Sequence, residues 1–342
     1  MKVQEQKGQR NQKVNPLGTE KVNKLLCSFA IPSIVSMLVG SLYNIVDQFF
    51  IGQKVGELGN AATNIAFPLS MSCLAIALMF GIGGSSAFNI AMGQGDKRQA
   101  TKYMGNSAVM LFACGLILCI VTEIFLTPML IVFGSPINVL PLAKEYTRIT
   151  AIGFPLLILS TGGGHLVRAD GRPEMTMVCN LTGAVINTVL DALFVFGFDW
   201  GITGAAIATV IGQCVSAMLA IYFLAHCKST TIQKEHLRLK GKYILRIMSL
   251  GMAPFANQLA MMIVQIVMNN ILRYYGAASV YGSDIPIACV GIVSKVNMVF
   301  LAICIGISQG AQPIWGFNYG AKKYDRVRQT YRYSATACTI IA

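Results

Sequence analysis

The sequence predicts an all-α protein that crosses a membrane many times, and three observations carry that prediction. Of its 342 residues, 54% are hydrophobic and only 12% charged, about half the charged share of an ordinary soluble domain. Mean hydropathy is +0.60. The apolar residues come in runs that reach the roughly 20 residues a helix needs to cross a bilayer core, and the charges collect between those runs. A large soluble core would need a polar face on most of its helices, and such faces are missing.

Spans are expected near 25–50, 60–92, 101–125, 143–168, 174–197, 201–225, 243–272 and 285–315, with a ninth beginning near 328 and cut off at Ala342. The opening MKVQEQKGQRNQKVNPLGTEKVNK is polar and basic. The apolar segment behind it is too long for a cleaved secretory signal, so it is expected to remain as the first span. The expected division is a cytoplasmic tail over 1–24, a six-helix lobe over 25–225, an inter-lobe loop over 226–242 and a partial second lobe over 243–342.

Lys and Arg set the orientation. The first tail holds Lys2, Lys7, Arg10, Lys13, Lys21 and Lys24, and further basic groups follow the second, fourth, sixth and eighth spans. The other side keeps only Lys54, Lys144, Arg148 and Arg273, while Lys295 falls inside a span. The positive-inside bias places the N-terminus in the cytoplasm of a multi-pass inner-membrane protein. The net charge of +13 is therefore a topology signal. No zinc-finger spacing, RNP pattern or helix-turn-helix accompanies it, so no nucleic-acid partner is expected.

The ten cysteines sit mostly in apolar runs, form no CxxC pair and have no His cluster beside them. Metal sites, disulfides and cofactors are not expected. GQGDKR (93–98) is not a Walker A loop, and HExxH and GxSxG are absent, so no enzyme is expected. GFNYG (316–320) has GxxxG spacing but lies beside a basic turn. It argues little for dimers, and a monomer is expected.

The chain echoes itself. FAIPSIVSMLV around Pro32 resembles LGMAPFANQLAMM around Pro254, and MFGIGGSSAFNIAMGQGDKR resembles CIGISQGAQPIWGFNYGAKK, with Gly81 opposite Gly306 and Gly95 opposite Gly320. Six spans separate the copies, which implies parallel repeats about an axis along the membrane normal.

Two carboxylates stand inside the apolar runs. Asp47, in SLYNIVDQFFIGQKVG, and Asp191, in NLTGAVINTVLDALFVFGF, each lie one to two turns from the outer end of a span. Lipid cannot solvate an ionised carboxylate, so each should face a cavity, a partner or a proton. Asn44, three residues before Asp47, and Asn187, four before Asp191, share helix faces with them, and Thr188 adjoins the second. Tyr43 is a weaker member of the same expected cavity. Lys295, Gln258 and Gln265 are further cavity candidates, and Asn269 occupies the place of Asp47 in the second copy. Met261, Met262 and Met268 suit either packing or an adaptable wall. Pro32, Pro155 and Pro254 lie inside helical runs and should bend them. GIGGSS (81–86) and STGGGH (160–165) allow close helix approach.

In ordered combination, AIPSIVSMLVGSLYNIVDQFFIGQKVGELGNAATNIAFP, FGIGGSSAFNIAMGQGDKRQA, GGGHLVRADGRPEMTM and PIWGFNYGAKKYDRVRQ resemble the multidrug and toxic compound extrusion (MATE) family, in particular its MepA-like branch. That resemblance implies a bundle of two six-helix lobes, with the second incomplete over the eight to nine spans seen here. It implies export of organic cations and other drugs by alternating access, coupled to protons or sodium. By similarity, Asp47 and Asp191 match the family's first-lobe acidic pair and Asn187 a neighbouring polar site. The acid often found in the second lobe's first helix is absent, where Gln258 and Gln265 stand instead, and this favours protons. The competing expectations are a lipid-linked sugar flippase, which should carry a more basic cavity, and a non-transporting receptor or scaffold.

Overall fold

The computed structural model describes residues 15–278 and 284–341, without the side chains at 57, 234, 269–270, 272–273, 277, 284–292 and 294–296. Ten α-helices follow one another: α1 Val22–Val55, α2 Glu57–Gly93, α3 Lys97–Val132, α4 Leu140–Ile152, α5 Phe154–Ala169, α6 Pro173–Asp191, α7 Gly201–Ala225, α8 Gly241–Ala277, α9 Asp284–Gly320 and α10 Tyr324–Ile341. Among the described residues, seven helices are long and apolar enough to cross a membrane, or eight when the bent pair α4–α5 counts as one span. The protein is an all-α, multi-pass membrane bundle with a partial second lobe. The ninth span expected from near 328 is the helix α10. It is not one of the apolar spans, because Arg326, Arg328 and Arg332 occupy its first half.

Local chemistry sets the breaks. A single residue joins α1 to α2, and its φ of 78° makes Gly56 the fitting choice. Asp96 caps α3 by accepting from Gln99 N at 2.9 Å. Pro32 and Pro254 lie inside α1 and α8. Pro155 lies beside a bend in its run, at the start of a helix and not in its middle. The run breaks at Gly153 with a bend of 54°, and Pro155 occupies the first turn of α5, where its missing N–H costs nothing. α3 carries a kink at Phe125 and Pro128. After Asp191 the helix widens into a π segment, Ala192–Gly197.

The core gathers Phe80, Phe88, Met104, Leu111, Ile158 and Leu166 from α2, α3 and α5, with Ile247 of α8 reaching in. The lobes meet through α2 on α8 and α1 on α9, with α2 also on α9. Since α8 and α9 are the second copies of α1 and α2, the first two contacts are equivalent under a parallel two-fold repeat. Both are close. A Cβ on Gly83 or Gly251 would strike the backbone of Ile247 or Met79, and one on Gly306 or Gly310 the backbone of Ile34 or Ala30.

A matching pair of clasps closes the end of the bundle where the chain begins. The 3₁₀ turn Pro16–Gly18, ahead of α1, packs on the opposite lobe. There Asn318 donates to Leu17 O at 2.9 Å, Lys323 to Gly18 O at 2.8 Å and Arg326 to Glu20 O at 2.6 Å. The 3₁₀ turn Lys234–Leu237, ahead of α8, packs back on the first lobe. Asn106 donates to His236 O and Arg238 O, both at 3.3 Å, and accepts from Lys240 N at 3.0 Å. Nearby, the buried Asp170 pairs with Arg172 at 2.9 Å and accepts from Lys228 N and Ser229 N, tying down the chain after α7.

Candidate functional site

α1 and the end of α6 bring the side chains of Asp47 and Asp191 close to one another. Asp191 is completely buried, and Oδ1 of each acid has no hydrogen-bond partner among the described residues. Two ionised carboxylates have only acceptors to offer, so neither can satisfy the other without a proton or a cation between them. Asp191 is the last α-helical residue before the π segment, a kind of irregularity that often marks functional positions.

Asn187, also buried, sits one turn below. In the orientation that satisfies both ends of its amide, it donates to Asp191 Oδ2 at 3.2 Å and accepts from Thr209 N of α7 at 3.2 Å. Tyr43, one turn before Asp47, and Tyr146 of α4 both lie close enough to feel the charge of the two acids. The cluster thus draws on α1, α4, α6 and α7.

Other expected residues go elsewhere. Asn44 is exposed and donates to its own helix, to Gly40 O at 2.7 Å. Three residues advance about 300° around a helix, which is enough here to turn it away from Asp47. Thr188 is half-buried, and among the described residues no hydrogen bond joins it to either acid. Gln258 donates to Met71 Sδ at 2.8 Å across the lobe interface, and Gln265 is exposed on α8. Lys295 and Asn269 lie in helices, but their side chains are outside the described residues. Ser72 donates to Met262 Sδ at 3.6 Å, so one of the expected methionines does line the lobe interface.

Sequence reasoning missed Tyr146 and Thr209. Tyr146 sits in KEYTR, whose charges read as a span boundary, although α4 packs against α2, α3 and α7. Thr209 has no sequence signal beyond being a hydroxyl in an apolar helix.

A cleft of about 600 Å³ lies between α3 and α4, and the two acids are not among its lining residues. Among the described residues, no group of three or more His, Cys, Asp or Glu side chains is placed to hold a metal ion.

Comparison with known proteins places this geometry in context. The MatE family profile matches residues 32–193 and 257–342. The multidrug export protein MepA of Staphylococcus aureus is 24% identical over 303 residues, covering 88% of this chain and 66% of the relative. The chain thus spans a little under two thirds of that relative's length. A crystal structure of MATE in the straight conformation superposes with a TM-score of 0.87 at 22% identity, over 95% of this chain and 72% of that one. A solved chain named only "protein A" reaches 33% identity with a TM-score of 0.87, over 96% and 73%.

Proposed function

We propose, because this chain belongs to the MatE family, that the complete protein is a multidrug exporter working by alternating access, with Asp47 and Asp191 as its proton-coupling pair. The observation that carries this reading is the close approach of two acids from different helices inside one lobe. With both ionised they repel each other unless the helices part or a cation enters between them. Either event ties protonation to the arrangement of α1 and α6. The first helix of the second lobe carries Gln258 and Gln265 where an acid would suit sodium, and this favours protons.

In this reading the clasped end faces the cytoplasm, as the distribution of Lys and Arg suggests. The outward state takes a proton at the acids, and bending of α1 at Pro32 disfavours the drug-bound arrangement. The inward state frees the proton and admits a lipophilic cation. Tyr43 and Tyr146 line the pair, while Gln258 and Gln265 belong to the drug-facing wall between lobes. The lobes divide at the loop 226–242, and the similarity to MepA suggests that branch and its kind of substrate. The protein would act as a monomer in the cytoplasmic membrane.

The test is ethidium efflux from vesicles holding the complete protein, with proton and sodium gradients imposed separately. Efflux should follow the proton gradient and be lost in Asp47→Asn and Asp191→Asn. Full activity of both variants under a proton gradient would remove the pair from the mechanism, and sodium-driven efflux would reverse the ion assignment.

A further inference from the structure

The cleft between α3 and α4 lies apart from the acid pair and carries its own chemistry. It is lined by Glu123, Thr127, Lys144, Glu145, Arg148 and Ile149, among others. Two of these groups are cationic and two anionic. Arg148 Nε meets Glu123 Oε2 at 3.6 Å, and both side chains keep exposure. Glu145 accepts from Thr203 of α7. Among the described residues Lys144 has no ion-pair partner. Lys144 and Arg148 stand one helical turn apart on one face of α4.

The depth of the cleft is legible from two directions. About 20 residues of hydrocarbon counted along α3 from Lys102 end near Glu123. The same length counted back along α5 and α4 from Arg168 ends near Arg148. Both counts put the charged groups at the headgroup boundary of the leaflet away from the N-terminus. On the hydrocarbon side of that boundary, α3 exposes Leu116, Ile117, Ile120 and Ile124. At the boundary itself α3 is kinked at Phe125, and Pro128 has no N–H for the carbonyl of Ile124. That leaves an extra acceptor on the helix lining the cleft. The main lobe contacts run through α1, α2, α8 and α9, so this side of the first lobe looks outward to lipid.

We infer that the cleft binds the headgroup of a glycerophospholipid bearing a primary ammonium. Lys144 and Arg148 hold its phosphate, the carboxylate edge of Glu123 and Glu145 takes its ammonium, and its chains lie along the apolar ridge of α3. Equal numbers of cations and carboxylates match a zwitterion better than a simple anion. A primary ammonium, unlike a quaternary one, has protons for carboxylates and a free carbonyl. The site does not depend on the transport reading, because the test reads binding alone.

The test is native mass spectrometry of the detergent-purified protein titrated with phosphatidylethanolamine, phosphatidylcholine and phosphatidylglycerol. Phosphatidylethanolamine should form the most persistent adduct. Lys144→Ala with Arg148→Ala should weaken it by roughly tenfold. Glu123→Gln with Glu145→Gln should erase the preference over phosphatidylglycerol. Soluble glycerophosphoethanolamine, which has no chains for the ridge, should not compete. All variants should keep the parent's elution volume and melting temperature in lipid-free detergent, because the altered groups are at least partly exposed. Equal adducts with all three lipids, no adduct with any, an unchanged Lys144/Arg148 variant, or competition by the soluble headgroup would each overturn the site.

Discussion

The first lobe and the helices of the second share a skeleton and differ in what they bury. Each begins with a 3₁₀ turn that crosses to the other lobe and is held by one asparagine, Asn318 for the first and Asn106 for the second. Each sends its second helix against the other's first, at glycines that leave no room for a side chain. Yet the first lobe encloses Asp47, Asp191 and Asn187 in one cluster. Among the described residues, the second offers uncharged amides to the interface: Gln258 on Met71, Gln309 on Met37 and Gln312 on Ser85 and Ser86. Packing geometry survives duplication because backbone contacts demand only small residues. Ion chemistry needs particular atoms at particular depths, so it need not be repeated wherever the packing is.

That contrast breaks if the acids prove dispensable, and this is where the largest effect is expected. Asp191→Asn in the complete protein should lower proton-driven efflux by about 100-fold, near the top of the range for coupling between sites. Gln258→Ala should change it by no more than about threefold, since a neutral amide on a thioether carries no charge to couple. A Gln258 variant as damaged as the Asp191 variant would mean that both lobes share the chemistry.

The equivalence of the two lobe contacts is open to a second challenge. Gly251→Leu and Gly306→Leu each drive a side chain into the opposing backbone, and overpacking of this kind costs about 1–3 kcal/mol. The two variants should lower the melting temperature of the purified protein by similar amounts. A large drop in only one would show that a single contact holds the lobes.

The clasps give a smaller and more local effect. Asn318→Ala strips a donor from Leu17 O and an acceptor from Arg326, while Asn106→Ala strips partners from His236, Arg238 and Lys240. A lost buried partner costs about 1–3 kcal/mol. Hydrogen exchange should quicken over 16–20 in the first variant and over 234–240 in the second, each leaving the other clasp protected. Exchange that quickens at both ends together would make them one cooperative unit.

Much of this skeleton was legible before any coordinates. Apolar runs located the spans, since a bilayer admits few alternatives to a helix, and paired Pro and Gly positions exposed the repeat. Asp47, Asp191 and Asn187 stood out because polar atoms are costly among apolar neighbours. The rest depended on rotation and depth. Asn44 looked as well placed as Asn187 and turned away. Pro155 does mark a bend, but as the opening of a second helix and not as a kink within one. Tyr146 was hidden because its neighbours Lys144, Glu145 and Arg148 announced a boundary, and nothing in sequence tells how far a helix end dips beside its neighbour.

The smallest expected effect separates glycines kept for contact from glycines without one. Gly40 lies in α1, the same helix that receives Gly306 and Gly310, but no heavy atom lies within 4 Å of where its Cβ would stand. Its replacement by alanine meets no backbone, removes freedom from the unfolded chain, and should stabilise α1 by up to about 1 kcal/mol. Gly306→Ala, with Ile34 backbone in the way, should do the opposite. Melting curves of the two single variants and the double variant test both signs. Because the sites share no contact, their effects should add. If Gly40→Ala instead lowers the melting temperature, or leaves it unchanged while slowing efflux, then the freedom of that residue serves the bending of α1 between Pro32 and Asp47, and the contact rule for the interface glycines does not extend along the helix.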